Sequence, residues 1–188
     1  DNLTLLNQIK KFKKPLILST GMSDLVEFDR IIKILKMKKD KLAILHCVSN
    51  YPLELKNSLL GSIHKIKSRY GYLVGYSDHT PDNFASVAAI SQGAKIIEKH
   101  VTLSKKMTGP DHFFSLEINQ FKPFVSLMRD IEFSLKNSRT KMNSVEKKLS
   151  KISKKGLYFS KNLKAGHQIK IEDIIAMRPK KNTVSPLD

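Results

Sequence analysis

Along this chain, compact apolar runs alternate with stretches in which apolar residues recur every three or four positions. Pro15-Leu16-Ile17-Leu18-Ser19-Thr20-Gly21 closes on turn residues and predicts a buried strand. Residues 1–14 ahead of it read as a short helix with a basic end. Behind it Asp24 can cap a helix with Glu27 three residues on, and Phe28, Ile31, Ile32 and Leu35 then share one helical face. Leu42-Ala43-Ile44-Leu45-His46-Cys47 predicts a second strand, followed by a helix with Leu59, Leu60, Ile63 and Ile66 inward. Tyr72-Leu73-Val74-Gly75-Tyr76 predicts the third, ending at Ser77-Asp78-His79. Thr80-Pro81 offers a hydroxyl cap and a first-turn proline, so a helix is expected to start there and to end at Gly93. Lys95-Ile96-Ile97-Glu98-Lys99-His100-Val101 reads as the fourth strand. A long helix over 119–135 follows, with Phe121, Phe124, Val125, Met128 and Ile131 apolar.

Four strands separated by single helices are βα repeats, which build a parallel sheet with helices outside it. The eight-fold barrel is the commonest closed form and typically takes about 250 residues. Only four units fit before the chain changes character near Lys136, so the fold class expected is α/β, a partial TIM (β/α) barrel of four βα units, half of the closed form. Residues 137–155 are polar and lysine-rich and read as a linker with some helix. Leu157-Tyr158-Phe159-Ser160, Ile169-Lys170-Ile171 and Asp173-Ile174-Ile175 read as short β-rich pieces of a small module. The expected organisation is therefore 1–136, 137–155 and 156–188. The abrupt start and end suggest a segment of a larger protein.

Composition adds little that is specific. With 40% hydrophobic residues over 188 positions the chain can bury a core. Its 34 Lys+Arg against 17 Asp+Glu give a net charge of +17, which raises polyanions as partners. The lysines, however, cluster at 10–14, 36–41, 147–155 and 180–181 without interleaved aromatics, the pattern of a solvated surface. Neither a specific nucleic-acid nor a membrane partner is expected. The single cysteine, Cys47, excludes an internal disulfide framework and points to a reducing, cytoplasmic setting.

In parallel barrels reactive groups collect at the carboxyl ends of the strands. Ser19-Thr20, Ser49-Asn50-Tyr51, Ser77-Asp78-His79, and Glu98 with His100 all occupy that position. Neutral imidazoles on neighbouring strand ends can share a divalent ion and leave coordination positions for substrate and water; imidazole suits Zn, Mn, Fe or Ni without choosing among them. The alternative for each is a hydrogen-bonded structural histidine. Asp111, in the turn Gly109-Pro110-Asp111-His112, either accepts from substrate hydroxyls or organises its own turn. Tyr51 is either a substrate-facing ring or a packed loop aromatic. His46 reads as a satisfied core residue, His64 as exposed on a helix and His167 as a turn residue, and none is assigned chemistry.

Leu18-Ser19-Thr20-Gly21-Met22, Leu45-His46-Cys47 with Tyr51-Pro52, Gly75-Tyr76-Ser77-Asp78-His79-Thr80, and Ile97-Glu98-Lys99-His100 with Gly109-Pro110-Asp111-His112 together resemble the sialic acid (N-acetylneuraminate) synthase family. Lys161-Asn162-Leu163-Lys164-Ala165-Gly166, and Arg178-Pro179 before Ser185-Pro186, resemble the start of that family's antifreeze-like domain. The resemblance implies a TIM barrel with four further strands upstream, and a swapped homodimer whose small domain covers the partner's site. It implies condensation of phosphoenolpyruvate with an N-acetylated amino sugar, with release of phosphate. On matching positions, it makes His79 and His100 manganese ligands, Glu98 an active-site carboxylate, Ser77 and Ser49 phosphoenolpyruvate contacts, and Tyr51 and Asp111 sugar contacts. Lys155-Gly156 stands where the family presents Arg-Ser to the neighbouring sugar site; lysine keeps the charge but loses the planar fork. Relatives making legionaminic or pseudaminic acid are the alternative within this chemistry. A non-catalytic fragment or polyanion-binding protein is the alternative outside it, and the chain by itself is expected to be inactive.

Overall fold

The structure, a computed structural model, describes residues 2–136, 138–178 and 182–187. The lysine cluster at 180–181 and Pro179 lie outside the described residues. The chain divides into two compact units, Asp1–Asn137 and Ser138–Asp188.

In the first unit, helix α1 (Leu3–Lys11) precedes β1 (Leu16–Ser19), α2 (Leu25–Leu35), β2 (Leu42–Cys47), α3 (Gly61–Tyr70), β3 (Leu73–Asp78), α4 (Phe84–Ser91) and β4 (Ile97–Lys99). The four strands form one parallel sheet in the order β1-β2-β3-β4, the curled half-barrel that the βα repeats predict. Side chains alternate across a strand, so every strand is split between two faces. Leu16, Leu18, Leu42, Ile44, Val74, Tyr76 and Ile97 face the helices and pack with Phe28, Ile31, Leu35, Ile63, Ile66, Ala85 and Ala89. Burying each large apolar side chain stabilises the unit by roughly 1.5–3 kcal/mol. The register places Ser19, Leu45 and Gly75 beside one another on the other face, and Cys47, Ser77 and Glu98 beside one another one step further along.

Helix α2 begins with the expected reciprocal cap: the Asp24 carboxylate accepts from the Glu27 amide at 2.8 Å, and the Glu27 carboxylate accepts from the Asp24 amide at 3.2 Å. Four expectations change. Strand β1 is not buried: Ile17 is 56% exposed because the strand lies at the sheet edge and packs only its Leu16 and Leu18 face. Leu59 precedes α3 and is exposed, since the helix starts at Gly61. Thr80 does not cap α4, because its amide and hydroxyl are both donated to Asp78; the helix starts at Phe84, whose amide Asp82 accepts at 2.9 Å. The stretch 95–101 is not one strand. It breaks at His100, whose carbonyl accepts from Leu116, and β5 (Val101–Thr102) pairs in parallel with β6 (Leu116–Glu117). Helix α5 (Ile118–Lys136) closes the unit, with Phe124 and Met128 buried against Leu116.

The second unit contains helix α6 (Ser144–Ser153), capped by Asn143 and Glu146, and an antiparallel pair, β7 (Gly156–Phe159) with β8 (Ile174–Met177). Ile169-Lys170-Ile171 is not a strand: Ile171–Asp173 forms a single 3-10 turn closed by the Asp173 carboxylate accepting from the Lys170 amide. Asp173 is buried and also holds Lys161 at 2.8 Å and His167 at 2.7 Å. Among the described residues of this unit no hydrophobic side chain is fully buried.

Candidate active site

The same alternation that builds the core decides which polar groups meet. Ser77 and Glu98 are register partners facing away from the helices, and the Ser77 hydroxyl donates to Glu98 Oε1 at 2.7 Å. His79 and His100 lie two residues further along each chain and carry the same face onward, with ring centroids 5.3 Å apart and planes at 82°. Tyr51 covers His79 at 4.2 Å between centroids and meets His100 edge-on at 5.7 Å. Phe114, buried, lies 5.1 Å from the His100 ring. Asp111 Oδ2 approaches His100 Nδ1 at 3.8 Å, and its side chain is 54% exposed. The sequence therefore brings Tyr51, Ser77, His79, Glu98, His100 and Asp111 to one end of the sheet.

The imidazoles are prepared as donors of a lone pair. His79 Nδ1 lies 2.8 Å from the Val48 carbonyl, which can only accept, so Nδ1 carries the proton. In the neutral ring Nε2 is bare. It lies 3.4 Å from Ser77 Oγ, whose only proton is committed to Glu98. Burial, reinforced by neighbouring His79, holds His100 below the ordinary imidazole range, which favours its neutral form. This chemistry fits two ligands of a divalent ion. Among the described residues no group of three or more His, Cys, Asp or Glu is arranged to hold a metal.

Ser49 is half-buried after β2. A Cβ on Gly21 would collide with Ser49 Oγ and come within 3.2 Å of Cys47 Sγ, so glycine leaves room for both. Cys47 is a site neighbour that sequence reasoning passed over: its thiol lies among the hydroxyls of Ser77 and Ser49, and burial pushes it up from the usual thiol range, which favours the neutral thiol. The signal was available, since Cys47 and Ser49 follow Leu45 at intervals of two. Phe114 was also missed and carries no comparable signal. Lys155 is exposed and belongs to the second unit, just before β7.

Asp78, which sequence places beside the histidines, points to the opposite face, where it pairs with Lys99 at 2.9 Å. His46 is the satisfied core residue expected, stacked on Tyr76 with Nε2 2.8 Å from the Ser58 carbonyl. His112 is held by Thr102 at 2.8 Å.

A parallel four-stranded sheet with paired imidazoles and a hydroxyl–carboxylate couple at its strand ends defines the class as half of a parallel (β/α) barrel with its polar groups gathered at the strand ends. Within that class, residues 1–140 match the NeuB family, and the chain belongs to that family. It is 35% identical to an N,N'-diacetyllegionaminic acid synthase of Campylobacter jejuni over 95% of its own length and 54% of the relative's. It is 34% identical to a pseudaminic acid synthase of the same species over 91% and 50%. Among solved structures, an N-acetylneuraminic acid synthetase from Leptospira borgpetersenii aligns with a TM-score of 0.70 at 32% identity, covering 79% of this chain and 52% of that one. The chain thus spans about half the length of the relatives it matches. Among the described residues no helix is long and apolar enough to cross a membrane.

Proposed function

We propose that this chain supplies the metal- and sugar-binding half of a nonulosonic acid synthase, which joins phosphoenolpyruvate to an N-acetylated amino sugar. The methylene carbon of phosphoenolpyruvate bonds to the sugar's aldehyde carbon, whose oxygen takes a proton. Water adds at the former enol carbon, and phosphate leaves with cleavage of its C–O bond.

The observation that most supports this reading is the pair of imidazoles, 5.3 Å apart, with His79 Nε2 bare and His100 favoured neutral. His79 and His100 hold the divalent cation, manganese being the expected one. When bound, the cation supplies Lewis-acid polarisation of the aldehyde and charge stabilisation. Asp111 accepts from sugar hydroxyls, and the Tyr51 ring forms the apolar wall beside them. Ser77 and Ser49 orient phosphoenolpyruvate, and Glu98, which already accepts the Ser77 proton, is placed to hold a proton during water addition. The sugar is N-acetylmannosamine or a diacetamido relative. The second unit is the start of an antifreeze-like domain, which in a swapped homodimer presents Lys155 to the partner's site. A phosphoenolpyruvate-dependent reaction and a lone free thiol suit the cytoplasm.

The test uses this chain joined to the upstream half of a relative's barrel. Phosphate release should require phosphoenolpyruvate, one of these sugars and a divalent cation, and should be abolished by chelation and by His79→Ala. Turnover that survives both metal removal and His79→Ala would overturn the reading.

A further inference from the structure

Behind the imidazoles, on the helix-facing side of the sheet, lies a buried ion pair, Asp78–Lys99. Lys99 immediately precedes His100, and Asp78 immediately precedes His79. Asp78 and Lys99 are register partners, as Ser77 and Glu98 are on the front face. Their side chains are 0% and 3% exposed.

The Lys99 ammonium has three donors and three acceptors: Asp78 Oδ2 at 2.9 Å, the Thr80 carbonyl at 2.8 Å and the Asp82 carbonyl at 2.8 Å. These acceptors bracket His79, one just before it and two just after. Asp78 is equally saturated. Oδ1 accepts from the Thr80 amide and hydroxyl, and Oδ2 accepts from Ser86 as well as Lys99. Desolvating two ions is costly, and a pair of apolar residues would often serve stability as well or better. What an apolar pair cannot do is fix three acceptors from one loop around a single nitrogen on the neighbouring strand.

We infer that Lys99 is a positioning residue for the imidazole pair. Its ammonium ties the segment carrying His79 to the strand end carrying His100, and so sets the separation and orientation of the two rings. The affinity readout below rests on the metal reading given above; the imidazole readout does not.

Lys99→Met alone leaves a buried carboxylate unpaired and reports on stability more than on position. The informative variant is Asp78→Asn with Lys99→Met. The amide oxygen still accepts from Thr80, its nitrogen can donate to Ser86, and only the cross-strand tie is lost. Folding is checked first by circular dichroism. If the double variant does not fold, Lys99→Arg replaces it, because a planar fork cannot meet three acceptors gathered about one point.

In two-bond 1H–15N spectra of the histidine rings of the 188-residue chain at pH 8, His79, assigned by its loss in His79→Gln, should show one tautomer protonated at Nδ1. In the folded variant it should show the mixed tautomers of a free ring. Titration with manganese alone should show affinity weakened about 10- to 100-fold. A folded variant that keeps the single tautomer, or whose affinity changes less than about threefold, overturns the proposal. If the unmodified chain binds no manganese, the metal reading fails, and the tautomer alone decides on Lys99.

Discussion

Replacing Gly75 with alanine places a methyl group where β2, β3 and β4 come together. The new Cβ would lie 2.5 Å from Leu45 Cδ2, 2.6 Å from the Ile96 carbonyl oxygen and 2.8 Å from Ile96 Cβ. The leucine can rotate away, but the carbonyl is backbone and accepts the Tyr76 amide at 2.9 Å. Relief therefore means moving β4 away from β3, which weakens that bond and reaches the Ser77–Glu98 contact two residues on. Overpacking of this kind costs about 1–3 kcal/mol, a loss of about 5- to 150-fold in the ratio of folded to unfolded chain. With a urea slope of about 2 kcal/mol per molar, the midpoint should fall by about 0.5–1.5 M with the slope unchanged. Gly61→Ala is the control: no atom lies within 4 Å of the added Cβ, which sits at the start of α3, so stability should rise by up to about 0.5 kcal/mol. A Gly75→Ala chain within about 0.3 kcal/mol of the unmodified one would refute the claim that close packing at this glycine fixes the β3–β4 spacing.

Two further outcomes follow from buried polar groups. Burial depresses the His46 imidazole below its ordinary value of 6.5, so the unfolded chain binds the extra proton; stability should fall as pH drops below about 6.5, and His46→Gln should remove that component from urea midpoints measured between pH 7 and 5. Asp173 is held well below the carboxylate range chiefly by Lys161, then by His167 and the Lys170 amide, so its contribution is present above the unfolded value of 3.8 and is lost as pH falls below it. At pH 7, Asp173→Asn should open the β7–β8 module to proteolysis while the first unit stays resistant. Equal cleavage rates in the two chains would contradict this.

The half-barrel was legible because its strands announce themselves as apolar runs and its helices as periodic ones. The Asp24–Glu27 cap was legible because both partners lie within one turn. Thr80-Pro81 misled because a hydroxyl before a proline looks like a cap whatever else competes for it, and here Asp78, two residues back, takes both the hydroxyl and the amide. Ile17 misled because an apolar run does not say which strand is the edge. At the site, the period of two already placed Ser77 with His79 and Glu98 with His100, but which face those residues shared with β2 depended on register. The same alternation turns Asp78 away from the imidazoles, and register then gives it to Lys99. A lysine between a glutamate and a histidine carries no local sign that it is the buried partner.

The most direct test of the central claim is calorimetric titration of the chain with manganese, beside a chain carrying His79→Ala and His100→Ala. Saturable binding at one site is expected in the first and none in the second. Absence of binding in the unmodified chain, or equal binding in both, would contradict the assignment of His79 and His100 as the metal-holding pair.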